Sequence, residues 1–373
     1  MHDSDKESPG LYIHIPFCRA KCPYCDFFSR PASELIPRYL DALQREAALF
    51  RNFSSRFDTL YLGGGTPSLL AGDDLRRLFS LLKETFTLAD DAEISMETNP
   101  EDITEEKASL LKELGVTRVT LGVQSFRGQE LRFLRRRYTE AEAVAAVHTL
   151  RKIRFPAVAL DLMYGMPGQS AAAWQISLET AAALRPEHLS CYQFTVKNKT
   201  PFGRMASAGQ LDLPDEEKER RLFLFTARFL EDAGYRHYEI SNFARHRRFF
   251  SRHNLKYWRR IPYLGLGPAA HSFDGTRRWW NIADIERYCA LLEEGKSPAE
   301  GSEILTAEQA RTEELLLGLR TAGGVVITDE EAARWKKNLA ALKKQGFITV
   351  DGRRLLPTRK GFLIADRLPL LLT

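Results

Sequence analysis

The sequence predicts an α/β chain: an open, partial (β/α)6 barrel followed by a small helical, winged-helix-like C-terminal domain. Three observations carry this reading. Apolar strand-like runs alternate with helical periodicities from residue 11 to about residue 234, which implies parallel strands joined by crossover helices. The motifs rich in Cys, Gly and acidic residues fall just after the strand-like runs, where α/β barrels gather their chemistry. From residue 306 the order becomes helix, helix, hairpin.

The strands are expected over 11–17, 59–63, 92–97, 118–123, 157–164 and 188–194. The helices between them are expected over 35–50, 75–86, 105–114, 140–153, 171–184 and 216–232. In the first helix Leu40, Leu43, Ala47 and Leu49 recur near helical spacing. Six strand–helix units are about two short of a closed eight-fold barrel, hence the partial barrel. In the C-terminal domain, helices over 308–319 and 329–345 precede a hairpin over 347–356 whose Asp351-Gly352 suits a tight turn. The expected division is a barrel over 1–240, a connecting segment over 241–305 and the C-terminal domain over 306–373.

Composition narrows the function classes. The chain has 373 residues and a net charge of +5. No run of about 18 apolar residues is present, so no transmembrane helix is expected. The first eight residues are polar and charged, without the apolar core of a signal peptide, and a cytoplasmic protein is expected. Five cysteines, an odd number with Cys191 and Cys289 far from the rest, fit a reducing compartment better than a disulfide framework. Arginines cluster over 135–137, 245–252 and 259–260. A solvated face or a cradle for a small acidic ligand accounts for them at least as well as nucleic acid, for which no recognised motif is present.

Cys18, Cys22 and Cys25 are spaced C-x3-C-x2-C after the first strand. Three thiolates are one short for structural zinc, which wants four protein ligands. On a [4Fe–4S] cluster, which usually takes four thiolates, they leave one iron open to a substrate or cofactor. A zinc knuckle completed by a residue such as His14, or packing thiols, are the competing readings. Gly63-Gly64-Gly65-Thr66-Pro67 ends the second strand, and glycine lets backbone approach a ligand closely. It lacks the Gly-Lys-Ser/Thr of a phosphate loop. Glu97, Gln124, Arg136 and Asp161 lie at or just beyond strand ends, where carboxylates could receive ribose hydroxyls and an Arg could pair with a carboxylate. His253-Asn254-Leu255-Lys256-Tyr257-Trp258 reads, on its own residues, as a core His among packed aromatics, with haem-iron ligation as the sharper alternative.

Taken together, these segments resemble the radical S-adenosylmethionine (SAM) superfamily, in the branch that unites oxygen-independent coproporphyrinogen III oxidases with haem chaperones of the HemW type. The resemblance covers nearly the whole chain. It runs through residues 12–18, 63–67, 122–126, 161–169, 238–244, 253–258 and 265–273. It implies a radical SAM barrel in which Cys18, Cys22 and Cys25 hold a [4Fe–4S] cluster. Tyr12, Tyr24, Gly64, Gly65, Thr66, Glu97, Gln124, Arg136 and Asp161 fall where that superfamily contacts SAM.

Two features divide the branches. The oxidases carry a further Cys two residues after the third, where this chain has Phe27. The chaperones carry His-Asn-x-x-Tyr-Trp, present here with His253 as the implied haem ligand. The resemblance therefore implies a haem carrier that delivers haem to an acceptor protein, with coproporphyrinogen oxidation as the alternative. The acceptor's identity, SAM cleavage, covalent haem attachment and a homodimer stay open, and no catalytic residue is assigned. Two departures stand out. Tyr138 replaces a His common in related chains, and Lys197 replaces a Glu in Lys197-Asn198-Lys199-Thr200.

Overall fold

The structure is a computed structural model and describes residues 7–372. All but the last two residues of the polar stretch 1–8, on which the signal-peptide expectation rests, lie outside the described residues. No helix among the described residues is long and apolar enough to cross a membrane.

The strands in chain order are β1 (Gly10–Ile15), β2 (Phe57–Gly64), β3 (Leu88–Thr98), β4 (Arg118–Gln124), β5 (Ala157–Tyr164) and β6 (His188–Gln193). They continue as β7 (Arg236–His237), β8 (Asn242–Ala244), β9 (Tyr263–Leu266), β10 (His271–Phe273), β11 (Arg277–Asn281) and β12 (Ala299–Ile304). The chain divides into two compact, interleaved units. The first comprises 1–162, 195–212 and 261–304, and the second 163–194, 213–260 and 305–373.

In the first unit the strands are ordered β12-β11-β10-β9-β1-β2-β3-β4-β5. Pairing from β9 through β5 is parallel throughout. Leu11, Ile13 and Ile15 of β1 are fully buried, as a parallel strand covered on both faces demands. Helices Ile36–Leu49, Gly72–Thr85, Glu105–Glu113 and Glu140–Lys152 fall where the periodicity puts them. Their starts follow from local chemistry. Pro37 lies in the first turn of one, and Thr139 forms a capping box with Glu142 at another.

The α/β architecture expected from the sequence is present, but the segment 261–304 does more than connect. It adds β9 in parallel to β1, then β10 to β12 antiparallel, and the helix Ile285–Glu293. These strands escape the sequence reading because β9, β10 and β11 are short and none of the four alternates cleanly. Helices Gly128–Phe133 and Pro201–Ser207 also lie outside the expected set.

In the second unit β6, β8 and β7 pair antiparallel, beside helices Ala171–Ala183 and Glu216–Asp232. Its C-terminal part has helices Ala307–Gly318, Asp329–Arg334 and Lys336–Lys344 and a three-stranded sheet. Leu315, Leu319, Trp335, Leu342, Ile348 and Leu355 form its core. The hairpin pairs Ile348–Asp351 with Arg354–Pro357, so Asp351 ends a strand and Gly352, at φ 57°, begins the turn.

Candidate cluster and cofactor site

The cysteine loop leaves β1 and is closed at its base. The Arg30 amide donates to Pro16 O at 2.8 Å, and the Cys18 amide to Arg30 O at 3.2 Å. His14 clamps the same base. Its Nε2 lies 2.8 Å from Phe28 O, a carbonyl that only accepts, so Nε2 carries the proton and Nδ1 accepts from the Tyr12 hydroxyl at 3.0 Å. Burial lowers the His14 pKa to about 4, so the ring is neutral. With both nitrogens engaged, His14 has no lone pair left for a fourth zinc ligand.

The glycine turn packs directly under this loop. The Gly65 amide donates to Ile15 O at 2.8 Å, and the Thr66 amide to Phe17 O at 2.7 Å. A Cβ on Gly65 would lie 2.5 Å from Phe17 O. Gly64 has φ 105°, and a Cβ there would meet the His14 ring at 2.5 Å. Both glycines are required by the approach of the chain to itself.

All three thiols are reduced and partly exposed. Thr66 donates its hydroxyl to Cys18 Sγ, and Arg136 Nη1 donates to Cys22 Sγ, each at 3.4 Å. Burial pushes the Cys25 thiol up. Among the described residues no group of three or more His, Cys, Asp or Glu closes into a metal-holding arrangement. The donor set nevertheless fits an iron–sulfur cluster: three thiols on one loop, two of them facing N–H or O–H donors of the kind that tune cluster sulfurs.

Asn99 joins the two sulfur contacts. Its amide nitrogen donates to Thr66 Oγ1 at 3.3 Å, and its oxygen accepts from Arg136 Nη2 at 2.5 Å. In the sequence Asn99 is one polar residue just past a strand, with no spacing that marks it. Arg136 also approaches Tyr24 OH at 3.4 Å, and burial raises the Tyr24 pKa. The neighbouring Asp102 accepts from Ser68 and from Arg19, tying the turn after β2 to the cysteine loop.

Glu97 ends β3 on the other side of the turn. It accepts from Tyr61 OH at 2.7 Å and from the Gly64 amide at 3.1 Å, keeps part of its surface exposed, and has its pKa raised by burial. Tyr12 stacks with Tyr61 at 6.1 Å. Asp161 is close enough to Tyr61 to add, after burial and Glu97, to the upward shift of its phenol. Gln124 is buried in a left-handed conformation, φ 62°, and a Cβ on Gly122 would lie between its side chain and those of Arg136 and Asn99. The residues expected from the sequence to contact SAM therefore lie within one unit, linked by hydrogen bonds or close approach. The same unit thus holds partly exposed acceptors (Glu97, Asp161) and a fixed guanidinium (Arg136), groups that suit the two charges of a zwitterionic ligand. Of the two departures, Tyr138 is buried against Arg136, whereas Lys197, Asn198 and Lys199 are exposed on a loop where the Lys197 carbonyl accepts from the Thr200 amide and hydroxyl.

His253 belongs to the second unit, on the short helix Arg252–Trp258 capped by Ser251. It is 1% exposed, and its Nε2 lies 2.8 Å from Tyr257 OH one turn on. Burial lowers its pKa to about 3, leaving the neutral ring that a metal ligand requires.

A three-cysteine loop after the first strand, a glycine turn beneath it and carboxylates on β3 and β5 define the radical SAM class. The family model for that superfamily matches residues 12–181, and the HemN C-terminal domain model matches 305–364. The heme chaperone HemW of Bacillus subtilis is 36% identical over 85% of this chain and 84% of its own length. That of Mycobacterium tuberculosis is 35% identical over 96% and 93%. Coproporphyrinogen III oxidase HemN from Escherichia coli, described as a radical SAM enzyme, superposes with a TM-score of 0.83 at 26% identity, covering 98% of this chain and 90% of that one. The chain belongs to the HemW family. Membership implies a [4Fe–4S] cluster and SAM.

Proposed function

We propose that this protein is a haem chaperone, which binds haem and hands it to an acceptor protein while carrying a [4Fe–4S] cluster and SAM. The observation that carries the reading is the likeness to heme chaperones along most of the chain, joined to Phe27 at the position where the oxidases have a further Cys. Phe27 is 68% exposed beside the thiols and offers no fourth sulfur there.

In this reading Cys18, Cys22 and Cys25 hold the cluster, and Thr66 and Arg136 orient donors toward two of the sulfurs. Tyr12, Tyr24, Gly64, Gly65, Thr66, Glu97, Gln124, Arg136 and Asp161 receive SAM. Arg136 supplies the cation for its carboxylate, and Glu97 and Asp161 supply acceptors. When bound, the cluster supplies one-electron reducing chemistry at the sulfonium. Haem is cargo, and His253 is its proposed axial ligand. In the described conformation the ring is enclosed and bonded to Tyr257, so ligation requires the turn carrying it to open.

The test is anaerobic reconstitution, haem titration and transfer to apo-acceptor proteins, with and without SAM and reductant. Tight haem binding, lost in His253→Ala, and transfer to an acceptor are expected. Unchanged haem affinity and spectrum in that variant would remove His253 as ligand. Decarboxylation of coproporphyrinogen III at enzyme-like rates would overturn the chaperone reading in favour of the oxidase.

A further inference from the structure

We infer that Tyr138 is a positioning residue of the cofactor site: its hydroxyl orients Arg136 toward Cys22 and pins the carbonyls that lead into Gln124. The inference rests on the proposed SAM and cluster site and names a residue to which that reading gives no role.

Tyr138 is 3% exposed and its hydroxyl lies at a junction. It accepts from Arg136 Nε at 2.9 Å, and its proton faces Gly122 O at 2.5 Å and Val123 O at 2.8 Å. Its ring packs 5.0 Å from the guanidinium carbon. The other edges of the guanidinium are also engaged, Nη1 by Cys22 Sγ and Tyr24 OH, and Nη2 by Asn99 Oδ1 and Gly122 O. With its N–H groups engaged by the protein, the guanidinium is held in one place and acts on the site as a fixed positive charge. The two carbonyls belong to the end of β4, where Gln124 turns into the left-handed region. One phenol thus ties a cation to the strand end that presents a second site residue.

Phenylalanine would keep the ring and leave Nε and both carbonyls without the hydroxyl. An imidazole nitrogen, the alternative seen in related chains, either accepts from Arg136 or donates to a carbonyl, but not both. Tyrosine does both at one atom. Were Tyr138 only a core residue, Phe would serve equally well.

The experiment compares full-length parent, Tyr138→Phe and Tyr138→His after anaerobic reconstitution. It measures iron per chain, melting temperature of the apoprotein, and Kd for SAM from the change SAM causes in the electron paramagnetic resonance of the reduced cluster. The expected result is a loss of SAM affinity of about 10-fold in Tyr138→Phe at unchanged iron content, the scale of one hydrogen bond to a charged group. Tyr138→His is expected to fall between the two. Parent-like SAM affinity in Tyr138→Phe, or a loss that only follows iron content or melting temperature, would overturn the inference. If Tyr138→Phe does not fold, Tyr138→His decides, and parent-like affinity there counts against the inference. A parent that binds iron but no SAM would instead overturn the SAM assignment on which the inference stands.

Discussion

Glu46 makes the stability of the first unit depend on pH in a direction opposite to that of most carboxylates. It is fully buried in the helix Ile36–Leu49. Its carboxylate accepts from the Gly267 amide at 2.8 Å and from the Tyr288 hydroxyl and Asn281 amide at 2.5 Å each. These contacts tie that helix to the turn after β9, to β11 and to the helix Ile285–Glu293. Burial outweighs the three hydrogen bonds and raises the Glu46 pKa from 4.5 to about 7. Between those values the unfolded chain has released the proton and the folded chain retains it. The Glu46 contribution is therefore fully present below about pH 4.5 and is lost as pH rises through 7. A shift of this size corresponds to about 3 kcal/mol, at about 1.4 kcal/mol per pH unit. Glu46→Gln removes the ionisation and leaves the volume unchanged. Urea unfolding of the reduced apoprotein from pH 5 to 8, parent against variant, isolates this group from the other titrating residues. The difference in unfolding free energy is expected to move by about 3 kcal/mol in favour of the variant across that range. Parallel pH profiles would refute the reasoning.

Two further perturbations test the frame of the site. Gly65→Ala places a Cβ against the carbonyls of Ile15 and Phe17, so the cysteine loop must shift. The expected result is a loss of about 1–3 kcal/mol by denaturant unfolding together with lower iron uptake, and parent-like iron content would count against it. Glu93 and Arg118 form a buried ion pair at 2.9 Å between β3 and β4. Glu93→Gln is expected to cost about 3–5 kcal/mol in the same measurement, because it removes the buried carboxylate charge that faces the Arg118 guanidinium. A change under about 1 kcal/mol would show that Arg118 is satisfied by other groups.

The parts of the fold that could be read in advance are those with strong local periodicity. β1 to β6 and the helices between them are apolar runs and amphipathic repeats, and their boundaries fall within a few residues of expectation. The four strands over 263–304 could not be read this way. β10 has three residues, β12 is largely exposed, and β9 carries Gly265 because His271 O lies where a Cβ would be. Their pattern answers to partners rather than to a period of two.

By itself the sequence determined which chemistry is available: three thiols in a C-x3-C-x2-C loop, a glycine turn, carboxylates at strand ends and a His followed by Tyr and Trp. These are local spacings, and local spacing survives in a one-dimensional reading. Only the tertiary structure decided which groups act together. Arg136 meets Cys22 across 114 positions, Asn99 bridges Arg136 to Thr66, and Tyr138 holds the guanidinium that a motif shows only as a charge. It also decided that His14 is a clamp rather than a ligand and that His253 is enclosed. Hydrogen-bond partners and burial depend on where distant strands end, and no spacing along the chain records that.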